Sequence, residues 1–206
     1  MPRTSSLKGL LATCAALLAA PCWSMATSPD QLVEDTAGKI LSQIDANHPA
    51  YEAEPQLLSQ VVRTDLLPLL DMEYSARLIL GRAGRGASSE QIHAFTEVMT
   101  ARLVDRYSAG LMRFRSREQL EVLPLRGDLN ERATRVRTRV RLDTGGFAPV
   151  DYVFRNTDEG WKVFDVIIEG ISYVSTYRSQ IMPEVEANGL DAVIQRLASG
   201  DLVLQD

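Results

Sequence analysis

Two titratable side chains on neighbouring predicted strands could together form an acid–base site. Strand alternation places Asp165 on the same side as Val163 and Ile167, and burial among apolar groups raises the pKa of a carboxylate towards that of a general base. Tyr152, on the preceding strand, could supply a phenol proton donor. The alternative is that Asp165 is a structural anchor, hydrogen-bonded to arginine, tyrosine or backbone N–H groups. No second titratable group has a clear place beside it, which favours the anchor.

The chain has few of the residues that other catalytic sites or metal sites use. After residue 26 the histidines are His48 and His93 and there is no cysteine, so disulfides and thiol catalysis are excluded there. Gly81, Gly84 and Gly86 form a glycine-rich segment, but it follows a predicted helix and lacks the Lys-Ser/Thr ending of a phosphate-binding loop. We expect a flexible turn at this segment, and neither a cofactor nor a metal site.

Four arginines occupy alternate positions of one predicted strand, at Arg135, Arg137, Arg139 and Arg141. A strand of this kind buries one face and leaves the other in water, where charges also oppose edge-to-edge pairing. The other interpretation is a basic stripe that contacts an acidic partner or a lipid phosphate. One stripe can do both, and we favour the solvated face.

The first 26 residues predict a cleaved signal peptide for Sec export. Arg3 and Lys8 form a positive n-region, the apolar run from Gly9 to Ala20 follows, and small residues precede a cleavage site after Ala26. A membrane-spanning helix needs about 18 or more apolar residues, and Pro21 interrupts this run well before that length. We expect a mature chain of residues 27–206 in the periplasm of a Gram-negative bacterium.

The charge balance excludes one class of partner. The whole chain has a net charge of −5, and removing Arg3 and Lys8 from the 22 basic residues leaves 20 against 27 acidic ones, a net charge of −7. Nucleic-acid-binding proteins usually carry a clustered positive excess, so no nucleic acid is expected as a partner.

Apolar periodicity divides the mature chain into helices followed by strands. Helices are predicted from Ser28 to Asn47-His48-Pro49, from Pro55 towards Leu66, and from Asp71 onwards, and a capping box of Ser88 and Gln91 begins a long fourth helix. The period then changes: residues 120–125, 133–142, 147–155 and 161–169 predict four strands joined by short turns. Residues 171–188 and 190–199 predict two final helices.

Connections this short require antiparallel neighbours, so the four strands predict a curved meander sheet. Helices first and strands later is typical of an α+β domain, here with helices packed over one face of the sheet. We expect one domain over residues 27–206, shaped as an NTF2-like cone that encloses an apolar cavity.

The sequence contains a series of motifs at Gly160–Val163, Asp165–Val166, Glu169–Gly170 and Tyr177–Gln180, together with the segment Asp71–Gly81. These motifs resemble those of the MlaC-like, toluene-tolerance family of periplasmic phospholipid carriers. Members of the family often carry tryptophan where this chain has Ala83-Gly84, and phenylalanine where it has Ile181. These departures affect the outline of a pocket rather than its apolar nature.

The resemblance implies a soluble carrier that is not an enzyme and whose cargo is phospholipid. Its implied partners are an outer-membrane lipoprotein–porin complex and the substrate-binding subunit of an inner-membrane ABC transporter, in a pathway that maintains outer-membrane lipid asymmetry. The predicted lipid-binding residues are Met72, Phe95, Met99, Leu103, Tyr107, Tyr152, Phe154, Trp161, Val163, Ile167, Ile171, Val174, Tyr177 and Ile181. On the last strand, Phe164, Val166 and Ile168 form a competing apolar face.

Two other functions stay open from sequence. One is a small cavity enzyme with Asp165 as base and Tyr152 as acid. The other is a periplasmic interaction module without a small ligand, whose core would be solid.

Overall fold

The computed structural model describes residues 27–112, 114, 116–142 and 144–205, so the predicted signal peptide lies outside the described residues. The helices of this part are α1 (Pro29–Ala53), α2 (Gln56–Val61), α3 (Met72–Gly86), α4 (Ser89–Leu111), α5 (Tyr173–Asn188) and α6 (Leu190–Ser199). The strands are β1 (Leu120–Val122), β2 (Thr134–Arg141), β3 (Phe147–Thr157), β4 (Gly160–Ile168) and β5 (Ile171–Ser172). Short π and 3-10 turns (Val62–Leu66, Leu67–Leu69) join α2 to α3.

Helix α1 continues beyond the point where the sequence predicts its end. The chain kinks at Asn47 (φ −124°, ψ 19°) but returns to helix as far as Ala53, with Pro49 inside. A proline within a helix removes one backbone donor and bends the axis. Beyond the kink, Tyr51 is buried in an apolar cluster with Ile44 and Leu58. This burial stabilises the last turns of the helix despite the proline.

The glycine-rich segment is helical, with one break, and not the flexible turn that we predicted. Gly81 interrupts α3 with φ 53° and ψ −115°, after which the helix resumes and ends at Gly86. A positive φ favours glycine because it has no Cβ. One turn before the break, the carbonyl of Leu78 accepts a hydrogen bond from Nε of Arg178 in α5 (2.6 Å). A hydrogen bond from α5 therefore holds α3 in place beside the break.

The sheet has five strands in the order β1-β2-β3-β4-β5, with every neighbouring pair antiparallel. The predicted α+β class is confirmed, but the count of four strands is wrong. Ile171 and Ser172, predicted as the start of the last long helix, instead pair with the end of β4. Glu169 and Gly170 connect the two strands with φ values of 50° and 86°. Positive φ at both positions is what a two-residue type I′ hairpin requires.

A β-bulge in β4 fixes how helix α3 meets the sheet. Val153 pairs with Asp165 and Phe154 with Val163, so Phe164 is the extra residue. The carbonyl of Phe164 accepts a hydrogen bond from Oγ of Ser75 in α3 (2.7 Å). The bulge also reverses the alternation of side chains between Val163 and the residues that follow.

The helices pack against one face of the sheet, and the opposite face of β2 carries the arginine row. Val33 of α1 shares a buried cluster with Val136 and Phe154 of the sheet. A second, larger cluster joins α3, α4, α5 and α6, and includes Leu80, Phe95, Ile181, Val193 and Leu197. None of the described helices is both long and apolar enough to cross a membrane.

Candidate functional site

A cavity of about 1320 Å³ lies between the inner face of the sheet and the helices. Its sheet wall is mainly apolar, with Tyr152 and Asp165 as its polar members, and consists of Leu120, Val140, Val150, Tyr152, Val163, Phe164, Asp165, Val166 and Ile168. The helical wall is contributed by α1, the segment between α2 and α3, α3, α4 from Glu97 onwards, the first turns of α5, and the end of α6. A solid core, as a module without a ligand would have, is therefore not the architecture of this region.

Eight of the fourteen predicted lipid-binding residues line this cavity. They are Met72, Met99, Leu103, Tyr107, Tyr152, Val163, Val174 and Tyr177. They come from α3, α4, α5 and two strands, so the fold brings together residues separated by as much as half of the chain. Their contact with lipid stays a prediction.

The other six predicted residues do not line the cavity. Phe95, Phe154 and Ile181 are completely buried between packed elements, and Trp161 packs against the sheet cluster at the start of β4. Ile167 was assigned to the inner face by strict alternation from Val163, but the bulge at Phe164 gives that face to Val166 and Ile168. Ile171 is 60% exposed because it lies in the edge strand β5.

Sequence reasoning missed the contribution of the first helix. Val33, Ala37, Ile40 and Leu41 of α1 line the cavity, and their spacing of three and four residues already marked an apolar helical stripe. The signal was present, but it also fits an ordinary core. The segment Leu66–Leu70 was missed as well, because a π turn followed by a 3-10 turn has no simple period.

Three tyrosines of the helical wall form a cluster, and the charged residues Glu97, Arg102, Asp105 and Arg106 of α4 also line the cavity. The ring of Tyr173 lies 6.0 Å from that of Tyr107 and 5.8 Å from that of Tyr177, in edge-to-face arrangements. Burial, with smaller contributions from Tyr177 and Tyr173, raises the pKa of Tyr107. The Tyr107 hydroxyl is shielded from solvent and has no well-formed hydrogen bond among the described residues. It is a donor available to a polar group of a ligand.

Tyr152 places a phenol on the sheet wall, and burial raises its pKa to about 12. A neutral phenol is thus maintained within a largely apolar surface. The few polar groups on such a wall can orient a ligand while the apolar groups hold it.

Asp165 is an anchor for the start of α5. Its carboxylate oxygens accept hydrogen bonds from Oγ of Ser172 (2.6 Å) and from the backbone N–H of Val174 (3.0 Å). A carboxylate at a helix N-terminus also interacts favourably with the helix dipole. No hydrogen bond joins Asp165 to Tyr152 among the described residues. The geometry supports the structural interpretation of Asp165 and gives no support to the acid–base pair.

Two motif residues in Tyr177–Gln180 hold other parts of the chain in place. Arg178 binds the Leu78 carbonyl beside the break in α3. The Gln180 amide makes two hydrogen bonds to the backbone of Gln205, at 2.7 and 2.8 Å. This motif therefore fixes α3 and the C-terminal segment against α5, close to cavity-lining Tyr177.

No group of three or more histidine, cysteine, aspartate or glutamate side chains in the described ranges is placed to hold a metal ion. Two arginines of α4 at the cavity margin are used structurally. Arg102 donates to the carbonyl of Leu197 (2.9 Å) and Arg106 to that of Leu204 (3.2 Å). They attach the C-terminal segment to the helical wall.

The fold and cavity define a class: an α+β protein with a large, mainly apolar cavity between an antiparallel sheet and its helices. A protein-family model described as the MlaC protein matches residues 34–199, and the chain belongs to this family. The resemblance inferred from the sequence motifs is thereby confirmed.

Two curated relatives span most of the chain. The first is the intermembrane phospholipid transport system binding protein MlaC of Haemophilus influenzae, 28% identical over 176 residues, which are 83% of this chain and 81% of that protein. The second is the toluene tolerance protein ttg2D of Pseudomonas putida, 28% identical over 167 residues, which are 81% of this chain and 77% of that protein.

A solved structure has a similar fold. It is that of the phospholipid-binding protein from Ralstonia solanacearum in complex with a phospholipid, with a TM-score of 0.74 and 22% sequence identity. The match covers 82% of this chain and 94% of that chain. At this identity the likeness concerns the fold.

Proposed function

We propose that this protein is a periplasmic phospholipid carrier and that the cavity between sheet and helices holds the acyl chains of its cargo. The observation that carries the proposal is the cavity itself. Its volume of about 1320 Å³ exceeds the roughly 300–1,000 Å³ of typical small-molecule pockets, and its wall is predominantly apolar. The names of the relatives, a phospholipid transport protein and a phospholipid-binding protein, agree with this use.

The physical need for such a carrier follows from the hydrophobic effect. Each acyl CH₂ removed from water contributes about 0.8 kcal/mol, so two chains of about fifteen carbons amount to roughly 24 kcal/mol. A phospholipid therefore leaves a membrane for water too rarely to cross an aqueous compartment unaided. A cavity lined with leucine, isoleucine, valine and methionine replaces the membrane interior during the crossing, and Met72 and Met99 make part of the lining adaptable.

The polar groups of the wall are few, and we assign them to orientation. Within the cluster of Tyr107, Tyr173 and Tyr177, the buried Tyr107 hydroxyl could donate a hydrogen bond to a glycerol or ester oxygen of a lipid. The head group would remain in water, so no charged residue needs to be buried with it. The proposal requires no cofactor besides the phospholipid cargo.

We further propose the route of the cargo. Residues 1–26 would direct export to the periplasm, and residues 27–206 would form the lipid-binding domain. The carrier would exchange phospholipid between an outer-membrane lipoprotein–porin complex and the substrate-binding subunit of an inner-membrane ABC transporter, which maintains outer-membrane lipid asymmetry. Family membership supports this route.

Denaturing extraction and lipid mass spectrometry of the purified mature protein test the proposal. We expect phospholipid in a fixed ratio to protein, and we expect delipidated protein to take up phospholipid from vesicles. Absence of lipid in repeated extractions, together with no uptake from vesicles, would overturn it. The cavity enzyme predicts a reaction rate with a bell-shaped dependence on pH that is lost in Asp165→Asn, whereas the carrier predicts bound phospholipid and no such rate.

A further inference from the structure

The outer face of strand β2 concentrates positive charge that acids among the described residues only partly neutralise. Arg135 pairs with Asp151 (Nε···Oδ2 2.6 Å), and Arg139 pairs with Glu121 (Nη2···Oε1 2.7 Å). Arg137 and Arg141, on the same face, make no ion pair with any described residue.

Large apolar side chains are exposed at the end of this row. Phe147, the first residue of β3, is 46% exposed, and Leu142, just after β2, is 43% exposed. The guanidinium carbons of Arg139 and Arg141 lie 5.1 and 5.6 Å from the centre of the Phe147 ring, within the range of cation–π contact. We call the surface of Arg137, Arg139, Arg141 and Phe147 the arginine face, and Leu142 lies at its end.

We propose that the arginine face docks the protein on an anionic phospholipid membrane. Cationic side chains next to exposed aromatic and aliphatic groups are the combination that holds proteins at a lipid surface, the charges by attraction to anionic head groups and the apolar groups by shallow insertion. A purely electrostatic contact with an acidic protein would make no use of the exposed phenylalanine and leucine.

The negative charge of the rest of the protein determines which side can approach an anionic membrane. With a net charge of −7 for residues 27–206 (20 basic against 27 acidic residues), the mature protein as a whole is repelled by an anionic membrane, and the arginine face is where that repulsion is reversed. The arginine face and the cavity lie on opposite sides of β2. Docking therefore does not require an empty cavity, and the proposal is independent of whether the cavity holds phospholipid.

Vesicle flotation tests the proposal, with vesicles of phosphatidylcholine alone and of phosphatidylcholine mixed with phosphatidylglycerol. We expect the protein to float with the mixed vesicles at low salt, and much less with phosphatidylcholine alone or at high salt, where charges are screened. The variant Arg137→Glu/Arg141→Glu should lose binding to the mixed vesicles by roughly tenfold or more. Phe147→Ser should weaken binding while leaving the salt dependence in place.

The matched control is Arg63→Glu/Arg85→Glu, which changes the net charge equally at two exposed arginines of the helical layer. It should bind the mixed vesicles like the unaltered protein. Arg137→Gln/Arg141→Gln removes the charges without adding acids, and it replaces the glutamate variant if that one does not fold. Unaltered protein that ignores anionic vesicles, or equal losses in both double glutamate variants, would overturn the proposal. If the unaltered protein does not bind anionic vesicles, an acidic protein becomes the expected partner of the arginine face.

Lipid loading, measured on the same samples, keeps this proposal separate from the carrier function. We expect the arginine-face variants to retain their extractable phospholipid. Loss of vesicle binding with unchanged lipid load supports docking through this face. Retained vesicle binding in Arg137→Glu/Arg141→Glu and in its glutamine counterpart overturns docking whatever the cavity contains.

Discussion

Helix α4 carries one apolar stripe that meets two different surroundings. In its first half, Phe95 is 0% exposed and packs in a cluster with Leu80 of α3 and Ile181 of α5. In its second half, Leu103 and Tyr107 lie on the wall of the cavity. Met99, between them, belongs both to the packed cluster and to the cavity wall.

The difference between the two halves comes from the partner elements and not from the residues of α4. The first half is surrounded by α3, α5 and α6, which pack closely enough to exclude free space. The second half faces the sheet and α1 across the cavity. An apolar stripe thus indicates which side of a helix is turned away from water, but not whether protein atoms fill the space opposite it.

The largest expected effect is on the packed half of the helix. Phe95→Ala should lower the free energy of unfolding by about 3–5 kcal/mol, because it leaves a new void in a filled core. Leu103→Ala is the matched change on the cavity wall, and it should cost clearly less because that side chain already borders free volume. Chemical denaturation of delipidated protein measures both. Equal losses would mean that the two halves do not differ in packing.

The second prediction concerns the pH dependence of stability, which reports whether water reaches Tyr152 on the cavity wall. Burial raises the pKa of Tyr152 from about 10 to about 12, so the folded protein holds the phenol proton more tightly than the unfolded chain. The resulting stability is fully present below pH 10 and is lost as pH rises from about 10 to 12.

The loss should amount to about 2–3 kcal/mol, and Tyr152→Phe should remove this part of the pH dependence. Stability measured against pH in both proteins is the test. If the free energy of unfolding falls equally steeply with pH in both proteins between pH 10 and 12, water reaches the Tyr152 hydroxyl and burial does not raise its pKa.

A third prediction concerns the hydrogen bond between Arg178 of α5 and the Leu78 carbonyl of α3. Arg178→Met removes the donors to the Leu78 carbonyl and should lower the free energy of unfolding by about 1–2 kcal/mol. Arg77→Met in α3 is the control, because it breaks only an exposed ion pair with Glu73 (2.8 Å), worth about 0.5 kcal/mol or less. Thermal or urea unfolding of the pair decides whether the motif arginine has a structural role.

Most of the secondary structure could be predicted because it depends on local patterns. The capping box at Ser88 and Gln91 correctly marked the start of α4, with hydrogen bonds in both directions. The fifth strand was not predicted because it has only two residues, and Ile171 fits the apolar spacing of the helix that follows. The full length of α1 was not predicted because the burial of Tyr51 stabilises the helix by more than Pro49 destabilises it.

The site could be predicted only in part because cavity walls depend on register and on distant partners. Leu103 and Val174, which helical spacing together with the family resemblance assigned to the lipid site, do line the cavity. Ile167 was misplaced because a bulge is decided by how β3 and β4 pair, and no periodic pattern in β4 shows it. Phe95 and Ile181 were assigned to the cavity because a stripe of core residues and a stripe of wall residues are identical in sequence.

The smallest expected change in stability, and the clearest change in lipid content, belongs to Val174→Trp. Val174 lines the cavity from the first turn of α5, so a larger side chain there has room to enter free volume instead of a filled core, where added bulk costs about 1–3 kcal/mol. It also occupies space that acyl chains need, so extracted phospholipid per protein should fall while the melting temperature stays nearly unchanged. Ile171→Trp, three residues earlier on the exposed edge strand, is the matched control and should keep its full lipid content. Early unfolding of Val174→Trp would show that this part of the wall is filled core, and an undiminished lipid load would place the acyl chains elsewhere.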